Sequence, residues 1–232
     1  MRAFWDQDQG GRNFGDALTA VLFEHMLGVR LEWSEPEAAD VFGVGSLAEA
    51  IPVGFTGIVF GTGKMFAHTA LDLSQARVLA LRGPLTAEDS GADCDLLGDP
   101  GLLVRDLPWG KVAPRDLGTA WLPHYVDERS GVGYRIDILG GVPAVLDEVA
   151  RCERIVTSSL HGLVLADAFG IPSLWDPCPA VAGEGFKFRD YAASYGETIR
   201  PGVWRMAPPD QVMRKHDALL AALLSLDLAV AA

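Results

Sequence analysis

Short apolar runs that stop at a glycine, proline or hydroxyl residue recur along this chain, most of them followed by a helical pattern. Asp40-Val41-Phe42-Gly43-Val44-Gly45-Ser46 enters a glycine turn, and Gly57–Gly63 repeats that order. Arg77–Leu81 runs into Arg82-Gly83-Pro84, and Gly118–Leu122 ends at Pro123-His124-Tyr125. Tyr134–Leu139 is a further run, and Arg154–Thr157 ends at Ser158-Ser159. Such alternation implies an α/β fold with parallel strands. Sites in such sheets lie beyond the carboxyl ends of the strands. His161, Arg82, His124, Gly45, Gly63 and the Asn13 turn all fall at such ends.

The runs form two rounds. Leu107–Arg115, with two prolines, a glycine and several charges, is the best linker between them. We therefore divide the chain at 1–112, 113–204 and 205–232: two α/β halves and a closing helix. Asn13 or Phe14 starts the first helix, with Leu18, Val21, Leu22 and Met26 on one face. Pro84 suits a first helical turn, and Pro143–Cys152 is a helix. The last helix starts at Pro208-Pro209-Asp210, with Val212, Leu219, Leu220, Leu223 and Leu224 on one side. The stretch from Ala218 to Ala232 is read as part of a packing helix.

At 49% apolar and 22% charged residues, the chain can bury a real core. Its net charge of −12 and lack of a dense basic stretch argue against nucleic-acid binding. An anion can then be held only by a local cluster of cations. Cys94, Cys152 and Cys178 fit neither a zinc site nor a CxxC pair, and no histidine pair has metal-ligand spacing, so no metal is expected. Met1–Gly10 lacks the apolar core of a signal peptide, and no uninterrupted apolar run is long enough to span a bilayer. The expectation is a reduced, cytoplasmic protein without a membrane span.

Gly43-Val44-Gly45-Ser46-Leu47-Ala48 matches a loose dinucleotide fingerprint, but residues 61–71 lack the required acid. Gly61-Thr62-Gly63-Lys64 resembles part of a phosphate loop, with Met65 where Ser or Thr should stand. Both read as tight strand–helix turns. In Asn13-Phe14-Gly15-Asp16, Asn13 is a good N-cap and Asp16 suits the first turn; on sequence alone the cap is preferred over holding sugar hydroxyls or accepting a proton. Arg82 is either a surface ion pair or a guanidinium gripping carboxylate or phosphate.

Ser158 to Gly170 reads as a turn, then a helix closed by Gly170 and Pro172. Ser158, Ser159 and His161 crowd its N-terminus, a place that favours anions. The hydroxyls are caps or ligands; His161 is a satisfied core histidine or an acid–base group. His124 has the same two readings, while His25, His68 and His216 lie in ordinary helical or surface contexts. Phe186-Lys187-Phe188-Arg189-Asp190-Tyr191 is an edge strand or an exposed helix start, and Lys187 or Arg189 could meet an anion there.

In this order the motifs resemble the polysaccharide pyruvyl transferase family, nearest to the bacterial exopolysaccharide ketal-pyruvate transferases. The matching pieces are Asn13–Asp16, Gly43–Ser46, Gly61–Gly63, Arg82–Thr86, Leu97–Pro100, Pro123–Asp127, Ser158–Gly170 and Phe186–Tyr191. The resemblance implies two Rossmann-like halves like the GT-B glycosyltransferases, with an acceptor-side first half and a donor-side second half. It implies transfer of the enolpyruvyl group of phosphoenolpyruvate to a sugar, free or lipid-linked, without a further cofactor. A lipid-linked acceptor would bring the chain against the inner face of the membrane.

In that setting His161 is the acid–base group, with His124 as the weaker candidate and Asp16 assisting. Arg82 and Lys187 hold the donor anion, with Ser158, Ser159 and the helix N-terminus. Asn13 and Asp16 orient acceptor hydroxyls, and Gly45 and Gly63 allow close approach of substrate. Two other readings share the layout: a glycosyltransferase using a nucleotide sugar, and a non-catalytic glycan-binding protein.

Overall fold

Two five-stranded sheets carry the chain. The computed structural model describes residues 1–7, 13–88, 90–111 and 114–226. The first sheet holds β1 (Arg2–Phe4), β2 (Glu32–Trp33), β3 (Val41–Phe42), β4 (Ile58–Phe60) and β5 (Arg77–Ala80), all parallel. Their order is β2-β1-β3-β4-β5. The second holds β6 (Thr119–Leu122), β7 (Tyr134–Arg135), β8 (Arg154–Thr157), β9 (Ser173–Trp175) and β10 (Trp204–Arg205). Its order is β10-β9-β8-β6-β7, and only the β10–β9 pairing is antiparallel. The α/β class with parallel strands is the one the apolar runs imply.

Counted from its own first strand, each sheet has the same order, 2-1-3-4-5. Chain direction across such a sheet reverses between the first and third strands, and ligand crevices open there. The two reversal points lie between β1 and β3 and between β6 and β8.

Six α-helices complete the described chain: α1 (Phe14–Leu27), α2 (Pro84–Ala87), α3 (Val142–Ala150), α4 (Leu160–Phe169), α5 (Phe186–Ala193) and α6 (Pro209–Leu224). Helix α4 is the centre of the packing. Leu160 through Ala168 are all buried, and a 3-10 turn, Pro100–Asp106, lies across it. One apolar cluster runs from Phe14, Leu18 and Leu22 through Leu102–Val104 to Leu163–Ala168 and on to Leu219, so the halves share a core. Phe42, Leu47, Phe55, Val59, Leu73 and Leu81 fill a smaller cluster. Among the described residues no helix is long and apolar enough to cross a membrane.

Several expectations need correction. Phe186–Tyr191 is no edge strand but the start of helix α5, and a largely buried one: Phe186, Lys187, Phe188, Asp190 and Tyr191 are buried and Arg189 is exposed. Of its charges, Lys187 and Asp190 face inward. Tyr134–Leu139 contributes only Tyr134–Arg135 to the sheet, because a turn at Asp137 ends the ladder. Leu224 is exposed, and α6 instead buries Val212, His216, Leu219 and Leu223. His216 is therefore no surface residue: its Nε2 meets Asp106 at 2.9 Å. Leu107, in the expected linker, is fully buried, and Trp109 packs edge-on against His25. Residues 227–232 of the expected packing helix lie outside the described residues.

Candidate active site

A cleft opens where the two reversal points face each other. Asp6 follows β1, and Ser46 and Leu47 follow β3; opposite them stand His124, Tyr125 and Val126 after β6, and Ser159 and His161 after β8. Asn13 and Asp16 reach in from the start of α1, and Lys187 from the start of α5. The enclosed volume is about 150 Å³.

The turn that presents His161 is fixed by Thr157. Its Oγ1 donates to the Leu122 carbonyl at 2.6 Å and accepts the Ser159 N–H at 2.9 Å. A side chain at Gly162 would overlap Thr157, so the close β8–α4 turn requires glycine there. His161 packs flat against Gly15 of α1, where any Cβ would overlap the imidazole. Its Nε2 is buried without a hydrogen-bond partner and lies 3.9 Å from Asp99 Oδ2. Burial, then Lys187, Arg82 and His124, push its pKa down to about 3. The imidazole is neutral at pH 7.

Asp16 moves the other way. Burial, then the Asp6 carboxylate, raise its pKa to about 8, against the opposing pull of Lys187. It is a protonated acid at neutral pH. Asn13 occupies the N-cap position but makes no cap bond. Its Nδ2 donates to Asp16 Oδ2 at 3.0 Å, so the preferred capping reading is corrected. A Cβ on Gly45 would overlap Asp16 Oδ1, and Gly45 has φ +118°. Gly45 serves by making room for the acid rather than by lining the cleft.

The two expected cations part company. Lys187 lines the cleft; burial and Arg82 lower its pKa to about 8, with Asp16 opposing. Arg82 is fully buried behind the cleft wall. Its Nε donates to Asp190 Oδ2 at 2.9 Å, one terminal nitrogen to Ser46 Oγ at 2.8 Å, and the other to the Lys64 carbonyl at 2.5 Å. Asp190 also accepts from the Thr86 N–H and hydroxyl. Among the described residues the guanidinium is spent on protein partners: it pins α5 to the first half and reaches the cleft through Ser46. A Cβ on Gly63 would overlap that guanidinium, so Gly63 makes room for Arg82, not for substrate.

His124 lines the cleft, stacked on Tyr125 at 4.4 Å, and burial lowers its pKa to about 3. Ser158 is buried one layer back. Its Oγ accepts the His124 N–H at 3.0 Å and bonds the Asp127 carboxylate, so it orients the His124 loop. Ser159 lines the cleft and makes no cap bond. Asp6 and Asp99 were missed in the sequence. Asp6 follows a three-residue strand with no apolar run to announce it, and Asp99 sits in a motif that reads as a plain turn.

The sequence profile of polysaccharide pyruvyl transferases matches residues 50–175. The chain is 31% identical over 216 residues to the succinoglycan biosynthesis protein ExoV of Rhizobium meliloti (strain 1021), covering 85% of this chain and 66% of that protein. It is 29% identical over 114 residues to the uncharacterized protein L143 of Acanthamoeba polyphaga mimivirus, covering 43% of this chain and 40% of that one. The chain thus spans just under two thirds of the first relative's length. No solved structure matches it significantly. The span matched by the profile contains Arg82, Asp99, His124 and His161 and stops short of Lys187.

Proposed function

The chain belongs to the polysaccharide pyruvyl transferase family, and from that premise we propose that it transfers the enolpyruvyl group of phosphoenolpyruvate to a sugar. The acceptor is a polysaccharide or its lipid-linked precursor, and the product is a cyclic pyruvate ketal with release of phosphate. In this reading the halves adopt the GT-B arrangement with the donor between them. One observation carries it: a protonated carboxylic acid, a neutral imidazole and a lysine cation meet in one cleft. Environments that push acid and base apart are how a site assigns proton donor and proton acceptor.

Lys187 and the free N–H groups at the start of α4 hold the donor anion. Asp16 gives its proton to the methylene carbon, leaving an oxocarbenium-like centre at C2. His161 takes the proton of one sugar hydroxyl as its oxygen bonds to C2. The C2–O bond to phosphate then breaks, the phosphate keeping the electron pair. The second hydroxyl bonds to C2, and its proton leaves with the phosphate. His161 returns its proton to Asp16 through water. One hydroxyl hydrogen ends on the new methyl group and the other on phosphate, so the transfer balances.

Incubation with phosphoenolpyruvate and a panel of free and lipid-linked oligosaccharides, followed by mass spectrometry, should show pyruvyl addition matched by phosphate release. No consumption with any acceptor, together with tight binding of a nucleoside diphosphate, would sink the reading.

Two further results are expected. Lys187 is a cation only below its pKa of about 8, so affinity for phosphoenolpyruvate should fall as pH rises through 8. A Lys187→Arg protein, cationic throughout, should keep only the weaker dependence that Asp16 imposes by ionising over the same range; a KM profile unchanged by the substitution counts against Lys187 as the anion's partner. Gly15→Ala should push the imidazole out of place. A misplacement of about 1 Å can cost on the order of 100-fold in rate, and overpacking costs about 1–3 kcal/mol of stability. Turnover and urea denaturation of the same protein would read both.

A further inference from the structure

The geometry points to Asp99 as the residue that positions His161, forming with it a buried carboxylate–imidazole pair that fixes the imidazole's tautomer and steadies its charged form during transfer. This rests on the pyruvyl-transfer reading for its catalytic part, but the pairing itself stands on geometry alone. Asp99 Oδ2 and His161 Nε2 are both buried polar atoms without a hydrogen-bond partner, and they face each other at 3.9 Å. Buried polar atoms are rarely left unpaired, since each costs about 1–3 kcal/mol. Two such atoms pointing at one another need only a shift of about 1 Å to reach hydrogen-bond distance.

Nothing else competes for that oxygen. The other carboxylate oxygen, Oδ1, accepts the Gly101 N–H at 2.8 Å, which anchors Asp99 at the start of the 3-10 turn across α4. The carboxylate is therefore held by backbone while Oδ2 is left for the imidazole. The charged and titratable groups around the pair are Arg82, Asp190, Lys187, His124, Asp16 and Tyr195. With Nε2–H donated to Asp99, the lone pair is on Nδ1, which lies beside Gly15 where His161 lines the cleft. That is the tautomer a base needs to accept a hydroxyl proton. When the proton arrives, the imidazolium and the Asp99 carboxylate become a buried ion pair, the role an orienting aspartate plays in a catalytic triad.

The test is Asp99→Asn, which keeps Oδ1 on the Gly101 N–H but replaces the acceptor with a donor. We expect kcat to fall by a factor of about 100 or more with KM for phosphoenolpyruvate unchanged. In nitrogen-15 NMR of histidine-labelled protein without substrate, with the His161 signals assigned from a His161→Gln spectrum, we expect wild type to show the Nε2–H tautomer. Asp99→Asn should shift it toward Nδ1–H. A merely structural aspartate would alter the melting temperature but leave the tautomer in place. Asp99→Asn turnover within threefold of wild type, or an unchanged tautomer, overturns the proposal. If Asp99→Asn does not fold, the wild-type spectrum decides, and an Nδ1–H tautomer there overturns it. Wild-type protein that consumes no phosphoenolpyruvate but shows Nε2–H refutes the transfer reading while leaving the pair intact.

Discussion

His161→Ala, shown folded by circular dichroism, is expected to transfer pyruvyl groups at a rate between 100- and 10,000-fold below wild type, the usual span for losing a general base. The ring is held on three sides: Gly15 packs on its face, Asp99 lies beyond Nε2, and the Thr157 turn sets its backbone. Burial keeps it unprotonated at pH 7, so it enters each cycle as a base. Donor affinity should change little, because Lys187 and the α4 N–H groups remain. Phosphate release in the presence of acceptor is the measurement. A rate within tenfold of wild type would move the role to His124, which lines the same cleft.

The second large effect is on stability. Asp190→Ala removes the acceptor for Arg82 Nε and for both the N–H and hydroxyl of Thr86, all in the dry interior. Breaking a buried ion pair from one side costs about 3–5 kcal/mol, because the remaining charge has no partner. In a protein of this size each kcal/mol shifts the melting temperature by roughly 2–4 °C, so a fall of about 6–20 °C is expected. Replacing both partners, Arg82→Met with Asp190→Leu, should cost less than Asp190→Ala alone. Thermal unfolding followed by circular dichroism compares them. An Asp190→Ala midpoint within 2 °C of wild type would mean that water reaches the guanidinium and the pair is not a buried pin.

Much of the framework was legible. The runs at Val41–Phe42, Ile58–Phe60, Arg77–Ala80, Thr119–Leu122 and Arg154–Thr157 are parallel strands with apolar interiors, two of them opened by an exposed arginine, and each announces itself. Arg2–Phe4, Glu32–Trp33 and Trp204–Arg205 do not: each is only two or three residues long and includes a charged residue, and no apolar run with a glycine turn after it frames them. The duplicated strand order was invisible for the same reason, since the halves repeat a path and not a sequence.

At the site, sequence named residues that the structure brings together: Asn13, Asp16, His124, Ser159, His161 and Lys187 all line one cleft. It could not tell contact from support. Arg82, Ser158, Gly45 and Gly63 stand one layer back, and only three-dimensional packing separates a guanidinium aimed at a ligand from one enclosed by Asp190, Ser46 and a carbonyl. Protonation was equally hidden. Asp16 is held protonated and His161 is kept from protonating even well below pH 7 because both are buried, and burial of a polar residue leaves no mark in its neighbours along the chain.

Helix α6 has a consequence for motion. After β10 the chain returns to the first half, where Lys215 donates to the Leu97 carbonyl at 2.6 Å and His216 meets Asp106. The polypeptide therefore passes between the halves twice, and a jaw strapped at both ends cannot gape about a single hinge. To widen the cleft, the molecule must peel the strap or twist the halves against each other. Exchange of substrate is then tied to undocking of α6 or to a twist between the halves, and not to a simple gape.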